Sequence, residues 1–166
     1  MCKIRFEQIE EEHLNSILDI YNYYVLNTTA TFHDHALSVE EMRKLVFFDN
    51  LKYRTMIIIE DRDICGYVIL KRHKERGAYD KTAEVTVYLK PECIGRGMGS
   101  LAVQYIESYA KNVDIHVLIA SICGENLKSI NLFSRNGYFK CAHYKEVGRK
   151  FDQVLDVVAF QKILDE

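Results

Sequence analysis

Hydrophobic residues recur along the chain at two different spacings, and the spacing changes several times between its ends. Residues 3–9 alternate polar with apolar side chains and predict a strand, whereas residues 11–27 place apolar side chains three or four apart and predict a helix. Ser38 and Glu41 have the spacing of a capping box, in which each side chain caps the other's backbone. A second helix is therefore predicted to begin after Ser38.

Three segments rich in β-forming residues come next, and after them helices and strands alternate. Residues 55–60 and 64–71 predict a hairpin closed by the polar residues 61–63, and residues 82–90 predict another strand. The remaining predicted elements are a helix, a strand, a helix and two strands, over residues 100–111, 114–121, 126–135, 138–144 and 155–163. The predicted order is β-α-α-β-β-β-α-β-α-β-β. Three successive strands favour a mixed central β-sheet flanked by helices, an α/β (α+β) fold, over a doubly wound parallel sheet.

Composition limits the size, location and partners of the protein. The 166 residues are 48% hydrophobic, which predicts a single domain over residues 1–166 with one sizeable core. Lys and Arg number 22 against 24 Asp and Glu, a formal net charge of −2 that argues against a nucleic-acid partner. The apolar runs are far shorter than the roughly 20 residues that span a bilayer. No secretory signal pattern is present. We therefore expect a cytoplasmic protein without a membrane partner.

The cysteines and histidines do not predict a metal site. The five cysteines are an odd number and none has Cys-x-x-Cys spacing, so neither a disulfide framework nor a zinc site is predicted. Among the histidines, only His33 and His35 have a spacing that suggests metal ligation, and two ligands are too few. Free thiols fit a reducing compartment.

Three alternating glycines, Gly95, Gly97 and Gly99, lie where a predicted strand ends and a helix begins. Glycine lets the backbone approach a bulky anion, and the helix N-terminus adds partial positive charge, so a pyrophosphate is a natural ligand. A Walker loop would need Lys after its last glycine, and a dinucleotide fingerprint would need different spacing early in a βαβ unit. Both fit poorly, while a plain glycine-rich turn stays open as an alternative.

This loop resembles the acetyl-CoA signature Gln/Arg-x-x-Gly-x-Gly/Ala of the GNAT N-acetyltransferase superfamily. Gly97 and Gly99 match it, Ile94 replaces Gln or Arg, and Arg96 is the candidate to supply the missing charge. Residues 126–138 are similar to a second family block, Asn-x-x-Ser-x-x-Leu-Phe/Tyr…Gly-Phe. The resemblance implies a GNAT fold and a set of acetyl-CoA contacts, many of them through the backbone: Val87, Tyr88, Leu89, Ile94, Gly95, Arg96, Gly97, Met98, Gly99, Ser100 and Asn126. Asn126 is also a good helix cap, a role that is compatible with binding coenzyme A.

A closer resemblance, to the phosphinothricin/methionine sulfoximine acetyltransferase branch, extends over nearly the whole chain. It is carried by residues 20–25, 29–32, 76–79, 82–84, 87–89, 148–151 and 155–158. Val154 departs from the branch, which has Trp there, and this change affects either the acceptor pocket or the subunit interface. The resemblance implies a homodimer that acetylates a small amino acid or an analogue of one.

Glu84 is the predicted catalytic residue. The acceptor ammonium must lose a proton before it can attack a thioester, and a carboxylate in a dry cleft can take that proton directly or through a water molecule. The resemblance assigns the base of the branch to this position. A backbone N–H near Val87 would stabilise the developing oxyanion. The alternative for Glu84 is an ordinary carboxylate on the solvent face of a strand.

The basic loop before this strand is predicted to contact the acceptor. Arg binds carboxylate through two parallel hydrogen bonds, which suits an amino-acid substrate. With the resemblance, the predicted acceptor-binding residues are Phe32, Lys74, Arg76, Tyr79 and Glu84. A solvated basic turn is the competing interpretation of this loop.

The sequence offers no evident side chain to protonate the coenzyme A thiolate as it leaves. Many GNAT enzymes have Tyr where this chain has Phe133, although a coenzyme A thiol with a pKa near 8.5 can leave as the thiolate. Tyr138 or Tyr144 is a possible substitute. A ping-pong mechanism through Cys93 or Cys123 is a further alternative.

The sequence therefore predicts an enzyme that transfers an acetyl group from acetyl-CoA to the amine of a small molecule, such as phosphinothricin or methionine sulfoximine or sulfone. Two alternatives remain open. One is a GNAT enzyme acting on a protein N-terminus, a polyamine or an aminoglycoside. The other is a non-catalytic acyl-CoA-binding module.

Overall fold

The computed structural model describes residues 3–164. Within them, seven strands form one sheet of order β1-β2-β3-β4-β5-β7-β6. The strands are β1 Ile4–Gln8, β2 Arg54–Glu60, β3 Asp63–Arg72, β4 Thr82–Leu89, β5 Val117–Cys123, β6 Phe139–Lys150 and β7 Gln153–Ile163. The helices are α1 Leu14–Asn27, α2 Val39–Val46, α3 Met98–Asn112 and α4 Leu127–Arg135. Neighbouring strands are antiparallel except β4 and β5, which confirms the predicted mixed sheet.

Helix α2 begins where its capping box was predicted, whereas helix α1 begins later than predicted. Ser38 Oγ accepts the backbone N–H of Glu41 at 3.3 Å, and the Glu41 carboxylate accepts the N–H of Ser38 at 2.8 Å. This reciprocal pair confirms the capping box of α2. Before α1, Glu11–His13 forms a 3₁₀ turn, so the α-helix begins three residues later than predicted.

Two hydrophobic clusters cover the two faces of the sheet. The first includes Ala83 and Val85 of β4 and packs against α3; the second packs against α1 and α2 and includes Tyr88 at its margin. Because both faces are covered, β2 is buried from Thr55 to Ile59 and its sequence is almost continuously apolar. Alternate residues of β4 therefore point into different layers of the molecule.

The last hairpin is longer than predicted. β6 continues to Lys150 and β7 starts at Gln153, whereas the hydrophobic pattern suggested strands only over residues 138–144 and 155–163. β6 lies at the edge of the sheet, its pairing with β7 is irregular between Tyr144 and Gly148, and most of its residues are exposed. A strand exposed on both faces has no two-residue hydrophobic period, which is why the pattern missed its second half.

The parallel strands β4 and β5 separate part of the way along their length. They are paired from Thr82 with Val117 to Glu84 with Ile119, and their pairing ends there although both strands continue. The opening therefore lies at the carboxyl ends of the two strands, a usual position for a ligand in a sheet with parallel strands. The chain leaves β4 into the glycine loop and α3, and it leaves β5 into α4.

Within residues 3–164, no helix is both long enough and apolar enough to cross a membrane.

Candidate functional site

A cavity of about 720 Å³ occupies the opening between β4 and β5. Its walls come from the second half of β4, the glycine loop and the start of α3, the end of β5, one face of α4, and the segment that follows α1. The lining residues are Tyr23, Tyr24, Thr28, Thr29, Ala30, Val85, Thr86, Val87, Tyr88, Leu89, Pro91, Ile94, Gly95, Gly97, Gly99, Ser100, Ser121, Ile122, Asn126, Lys128, Ser129, Asn131, Leu132, Phe133 and Arg135.

The glycine loop presents open backbone to this cavity. Gly95 and Gly97 have φ values of +82° and +83°, in the left-handed region that favours glycine, and a Cβ atom at either position would meet nothing within 4 Å. Gly97 is the N-cap of α3, and the first helical bond runs from Leu101 N to Gly97 O at 3.2 Å. The N–H groups at the start of α3 have no partner within the helix, so they are available to an anion.

Close packing of α3 on α4 depends on the third glycine. A Cβ atom on Gly99 would lie 3.2 Å from both Cδ atoms of Leu132, a contact tighter than a well-packed core tolerates without a shift. Gly99 therefore brings α4 near the loop, so that the two helices form facing walls of the cavity.

Nine of the eleven residues predicted to contact acetyl-CoA line this cavity, and two do not. Arg96 turns away and its Nη2 bonds Glu60 Oε1 at 2.6 Å; the Glu60 carboxylate raises the pKa of the guanidinium. Met98 is 1% exposed and its side chain belongs to the core beside α3. The charge absent at Ile94 is therefore not replaced at the cavity by the side chain of Arg96.

The basic residues on the cavity wall are Lys128 and Arg135, which no sequence motif predicted. With Asn131 they are spaced three and four residues apart along α4, so they lie on one face of that helix. Helical periodicity could have grouped them. Their position opposite the glycine loop depends on the packing of α4 and was not available from the sequence.

The sequence also did not predict that the end of α1 forms part of the cavity wall. Tyr24 donates its hydroxyl to the carbonyl oxygen of Leu89 at 2.5 Å, which ties α1 to the end of β4 beside the cavity. Burial, with smaller contributions from Tyr23 and Glu92, raises the pKa of Tyr24 to about 12. Tyr23, Thr28, Thr29 and Ala30 complete this wall.

Glu84 lies at the closed end of the opening, where β4 and β5 are last paired. Its side chain is 22% exposed and its carboxylate has two partners: His73 Nδ1 lies 3.0 Å from Oε1, and Lys71 Nζ lies 3.2 Å from Oε2. Glu84 is not among the cavity-lining residues, but Thr86 and Tyr88, on the same side of β4, are. Glu84 therefore lies beside the inner end of the cavity.

The other predicted acceptor residues lie outside the cavity wall. Lys74 and Arg76 are exposed on the loop after β3. The Lys74 ammonium lies 5.1 Å from the ring centroid of Tyr79, and that ring meets His73 edge-on at 5.6 Å. Lys74 and Tyr79 are thus connected to Glu84 through His73. Phe32 is 41% exposed and packs where a side chain on Gly148 would clash with its ring.

The candidate proton donors for the departing thiol are not at the cavity. Phe133 lines the cavity, and the ring of Tyr138 packs edge-on behind it with the centroids 5.0 Å apart. Tyr138 is buried, and burial together with nearby Glu107 raises its pKa. Tyr144 is 54% exposed on the edge strand β6. Neither hydroxyl is placed on the cavity wall.

The two cysteines considered as nucleophiles are buried. Cys93 is 3% exposed, and burial and the neighbouring Cys65 thiol raise its pKa to about 12, which keeps the thiol protonated at neutral pH. Cys123 is 4% exposed. Nothing at the cavity wall therefore favours an acyl-cysteine step. Within residues 3–164, no group of three or more His, Cys, Asp or Glu side chains is arranged to hold a metal ion.

Comparison with known proteins agrees with this geometry. Residues 6–159 match the family model described as an acetyltransferase (GNAT) domain. The chain is 33% identical over 158 residues to a phosphinothricin N-acetyltransferase of Streptomyces coelicolor, covering 93% of this chain and 92% of that protein. It is 29% identical over 154 residues to an L-methionine sulfoximine/L-methionine sulfone acetyltransferase of Salmonella typhimurium, covering 91% and 89%.

A solved acetyltransferase structure is also similar to this protein over nearly the whole chain. A GNAT superfamily phosphinothricin acetyltransferase from Sinorhizobium meliloti, in complex with AcCoA, matches with a TM-score of 0.92 at 26% identity, covering 99% of this chain and 89% of that chain. The chain belongs to the GNAT acetyltransferase family, and the predicted GNAT fold is confirmed.

Proposed function

We propose that this protein transfers the acetyl group of acetyl-CoA to the amine of a small amino acid or an analogue, such as phosphinothricin or methionine sulfoximine or sulfone. The observation that carries the proposal is the cavity that begins at the glycine loop and ends beside Glu84. The names of the relatives from Streptomyces coelicolor and Salmonella typhimurium support this choice of acceptor.

Acetyl-CoA fits the donors that this cavity offers. Backbone N–H groups of residues 97–100 can hold the pyrophosphate at the start of α3, where no side chain at Gly97 obstructs the approach. Residues 87–89 of β4 have lost β5 as a neighbour, so their backbone edge can bond the pantetheine amides as an added strand would, beside the bond that Leu89 O already accepts from Tyr24. Asn126 and the basic face of α4 lie on the opposite wall.

In the proposed reaction, Glu84 accepts the proton of the acceptor ammonium, and the neutral amine then attacks the acetyl carbon. Holding both substrates in one cleft supplies much of the acceleration. A backbone N–H near Val87 would bond the developing oxyanion. Since Phe133 has no proton to give, coenzyme A leaves as the thiolate, which a thiol pKa of about 8.5 permits, and the second proton lost by the nitrogen as the amide forms passes to that thiolate or to water.

The charges around Glu84 favour an acceptor that carries a carboxylate. Lys71 lies against Glu84, and Lys74 and Arg76 lie on the next loop, where Arg76 can bind a carboxylate through two parallel bonds. Phe32 and Tyr79 would contact the rest of the acceptor. A polyamine or an aminoglycoside would instead need an acidic surface, so these acceptors fit less well.

Glu84→Gln tests the base directly. We expect kcat to fall about 100-fold or more at neutral pH, in the range for loss of a general base, with the KM for acetyl-CoA unchanged. Coenzyme A release is measured with an acceptor panel that includes amino-acid analogues, a polyamine, an aminoglycoside and an N-terminal peptide. Glu75→Gln is the matched control, since that carboxylate is 92% exposed on the adjacent loop. Full activity of Glu84→Gln would exclude Glu84 as the base.

The same panel separates the enzyme from a non-catalytic acyl-CoA-binding module. Acetyl-CoA binding, followed by calorimetry, without turnover on any amine would support the binding module. Release of coenzyme A with an amino-acid analogue would support the enzyme.

We further propose that the chain acts as one domain, as a homodimer, in the cytoplasm. The exposed apolar residues of the β6–β7 hairpin support the homodimer: Tyr144, Val147, Phe151 and Val154 are each about half exposed or more. Free thiols support a reducing compartment.

A further inference from the structure

Two side chains, one from β3 and one from the residue just after it, hold the carboxylate of Glu84. Lys71 pairs directly with Glu84 in the β3–β4 register, and its Nζ lies 3.2 Å from Oε2. His73 follows β3 immediately, and its Nδ1 lies 3.0 Å from Oε1. Each carboxylate oxygen thus has one partner, and both partners come from the same short segment.

We propose that Lys71 and His73 are positioning residues that keep the Glu84 carboxylate oriented for proton transfer from the acceptor. This inference rests on the proposed function, in which Glu84 is the base. It adds two residues that touch neither the cavity wall nor the reacting atoms and act through Glu84.

The hydrogen-bonding capacity of the carboxylate leaves room for the acceptor. An ionised carboxylate has about four lone-pair sites, so one bond to each oxygen leaves about two for a substrate ammonium. Because an ionised carboxylate can only accept, the contact requires a proton on His73 Nδ1, which then donates to Oε1. With both oxygens held, the carboxylate does not have to be ordered again when the acceptor binds.

The surroundings make His73 the stronger of the two restraints. The His73 side chain is 17% exposed and packs edge-on against Tyr79, whereas Lys71 is 46% exposed. An ion pair as exposed as the one with Lys71 is screened by solvent and contributes little by itself. On the other side of β4, the strand partner of Glu84 is the apolar Ile119, whereas both partners of its carboxylate, Lys71 and His73, come from the β3 side.

The first test compares His73→Phe with His73→Asn. Asn can place its amide N–H close to the position of Nδ1, whereas Phe keeps the ring shape without a donor. We expect kcat to fall about tenfold in His73→Phe, as for a lost bond to a charged group, and to stay within about threefold of wild type in His73→Asn. The KM for acetyl-CoA is expected to stay unchanged in both.

The second test uses the split between kcat and the KM for the acceptor. Lys71→Met removes the group that holds Oε2, so kcat is expected to fall about threefold, as for loss of an exposed ion pair, with the acceptor KM unchanged. Lys71→Arg keeps a cationic donor at this position and should leave kcat at the wild-type value. Lys81→Met is the control for loss of an exposed lysine, because Lys81 pairs with Asp114 and not with Glu84.

A double mutant separates this inference from the proposed function. In a Glu84→Gln background, His73→Phe should lower kcat no further, since a positioning residue has no effect once the group it positions is changed. An additional tenfold loss there would overturn the inference and indicate a purely structural role. Equal activity of His73→Phe and wild type, with Glu84→Gln inactive, would also overturn it and leave the proposed base intact. A fully active Glu84→Gln would instead reject the base itself.

Discussion

Single residues decide how the start of α3 meets a ligand. Gly95 and Gly97 both have positive φ, and an L-residue in the left-handed region costs about 1–2 kcal/mol. Space is not the constraint, since a Cβ atom at either position would have no neighbour within 4 Å. The glycines are therefore required by backbone conformation and, if acetyl-CoA binds as proposed, by the close approach of its pyrophosphate.

Gly97→Ala should affect the two substrates differently. We expect the free energy of unfolding to fall by about 1 kcal/mol because of the positive φ, and the KM for acetyl-CoA to rise about tenfold because the methyl group faces the pyrophosphate. The acceptor KM should be unchanged. Urea unfolding and steady-state kinetics measure these values. Gly77→Ala is the control, because Gly77 has no positive φ and an added Cβ would meet only Asp80, at 3.8 Å. An unchanged KM for acetyl-CoA in Gly97→Ala would contradict the proposed pyrophosphate site.

The sequence predicted the glycine loop well because the residues that form it are adjacent in the chain. Gly97, Gly99 and Ser100 were predicted at the cavity, and they line it. Arg96 does not follow this rule: the sequence has a cation at the right distance along the chain, but Glu60 of β2 holds that cation away from the cavity. The partner is 36 residues away, so local sequence does not reveal the competition.

At the scale of secondary structure, the cavity depends on how β4 is held on its β3 side. Gly66 of β3 pairs with Leu89, and a Cβ atom on Gly66 would collide with the carbonyl oxygen of Tyr88 and with the Leu89 side chain. Tyr88 and Leu89 both line the cavity. The absence of a side chain at Gly66 thus allows β3 to support the strand that forms the cavity wall.

Gly66→Ala is therefore expected to damage both stability and binding. Because the collision involves backbone atoms, the strands must move apart, and we expect the free energy of unfolding to fall by about 2 kcal/mol, in the range for overpacking. Acetyl-CoA binding should weaken with it. The chain has no tryptophan, so unfolding is best followed by far-UV circular dichroism in urea, and binding by calorimetry. Stability within 0.5 kcal/mol of wild type, itself about the range of a neutral surface change, would contradict this account of β3–β4 packing.

The order and type of the elements were predictable, while their extent was less so. The hairpin at Asp61, the capping box at Ser38 and the helix after the glycine loop each depend on neighbouring residues, and all three were predicted. The second half of β6 was missed because its pairing with β7, and not its own hydrophobic pattern, makes it a strand. Pairing between strands is a tertiary interaction that periodicity does not register.

At the scale of the whole molecule, the β6–β7 hairpin presents a group of exposed apolar side chains. Val147 is 60% exposed, Phe151 52% and Val154 48%, and these residues lie close to the turn at the end of an edge strand. Exposed apolar residues on an edge strand favour association with another chain. They include Val154, where the chain departs from the Trp of the branch that it resembles.

We expect light scattering after size-exclusion chromatography to give twice the chain mass for the wild type. Val147→Asp combined with Phe151→Asp should give the monomer, because each places a charge in the proposed contact. Leu51→Asp is a matched control: Leu51 is 79% exposed but lies before β2, away from this hairpin. A monomeric wild type at high concentration would reject the homodimer.

The sequence alone determined the order of the elements, the glycine loop and the residue types of the candidate site, because helix caps, turns and hydrophobic periods depend on residues close together in the chain. Tertiary structure decided which of these residues meet. The opening between β4 and β5, the ion pair that holds Arg96, and the contacts of Lys71 and His73 with Glu84 all join segments brought together by strand pairing. The glycine loop is thus a local property of the chain, whereas the position of Glu84 beside the cavity is a property of the folded sheet.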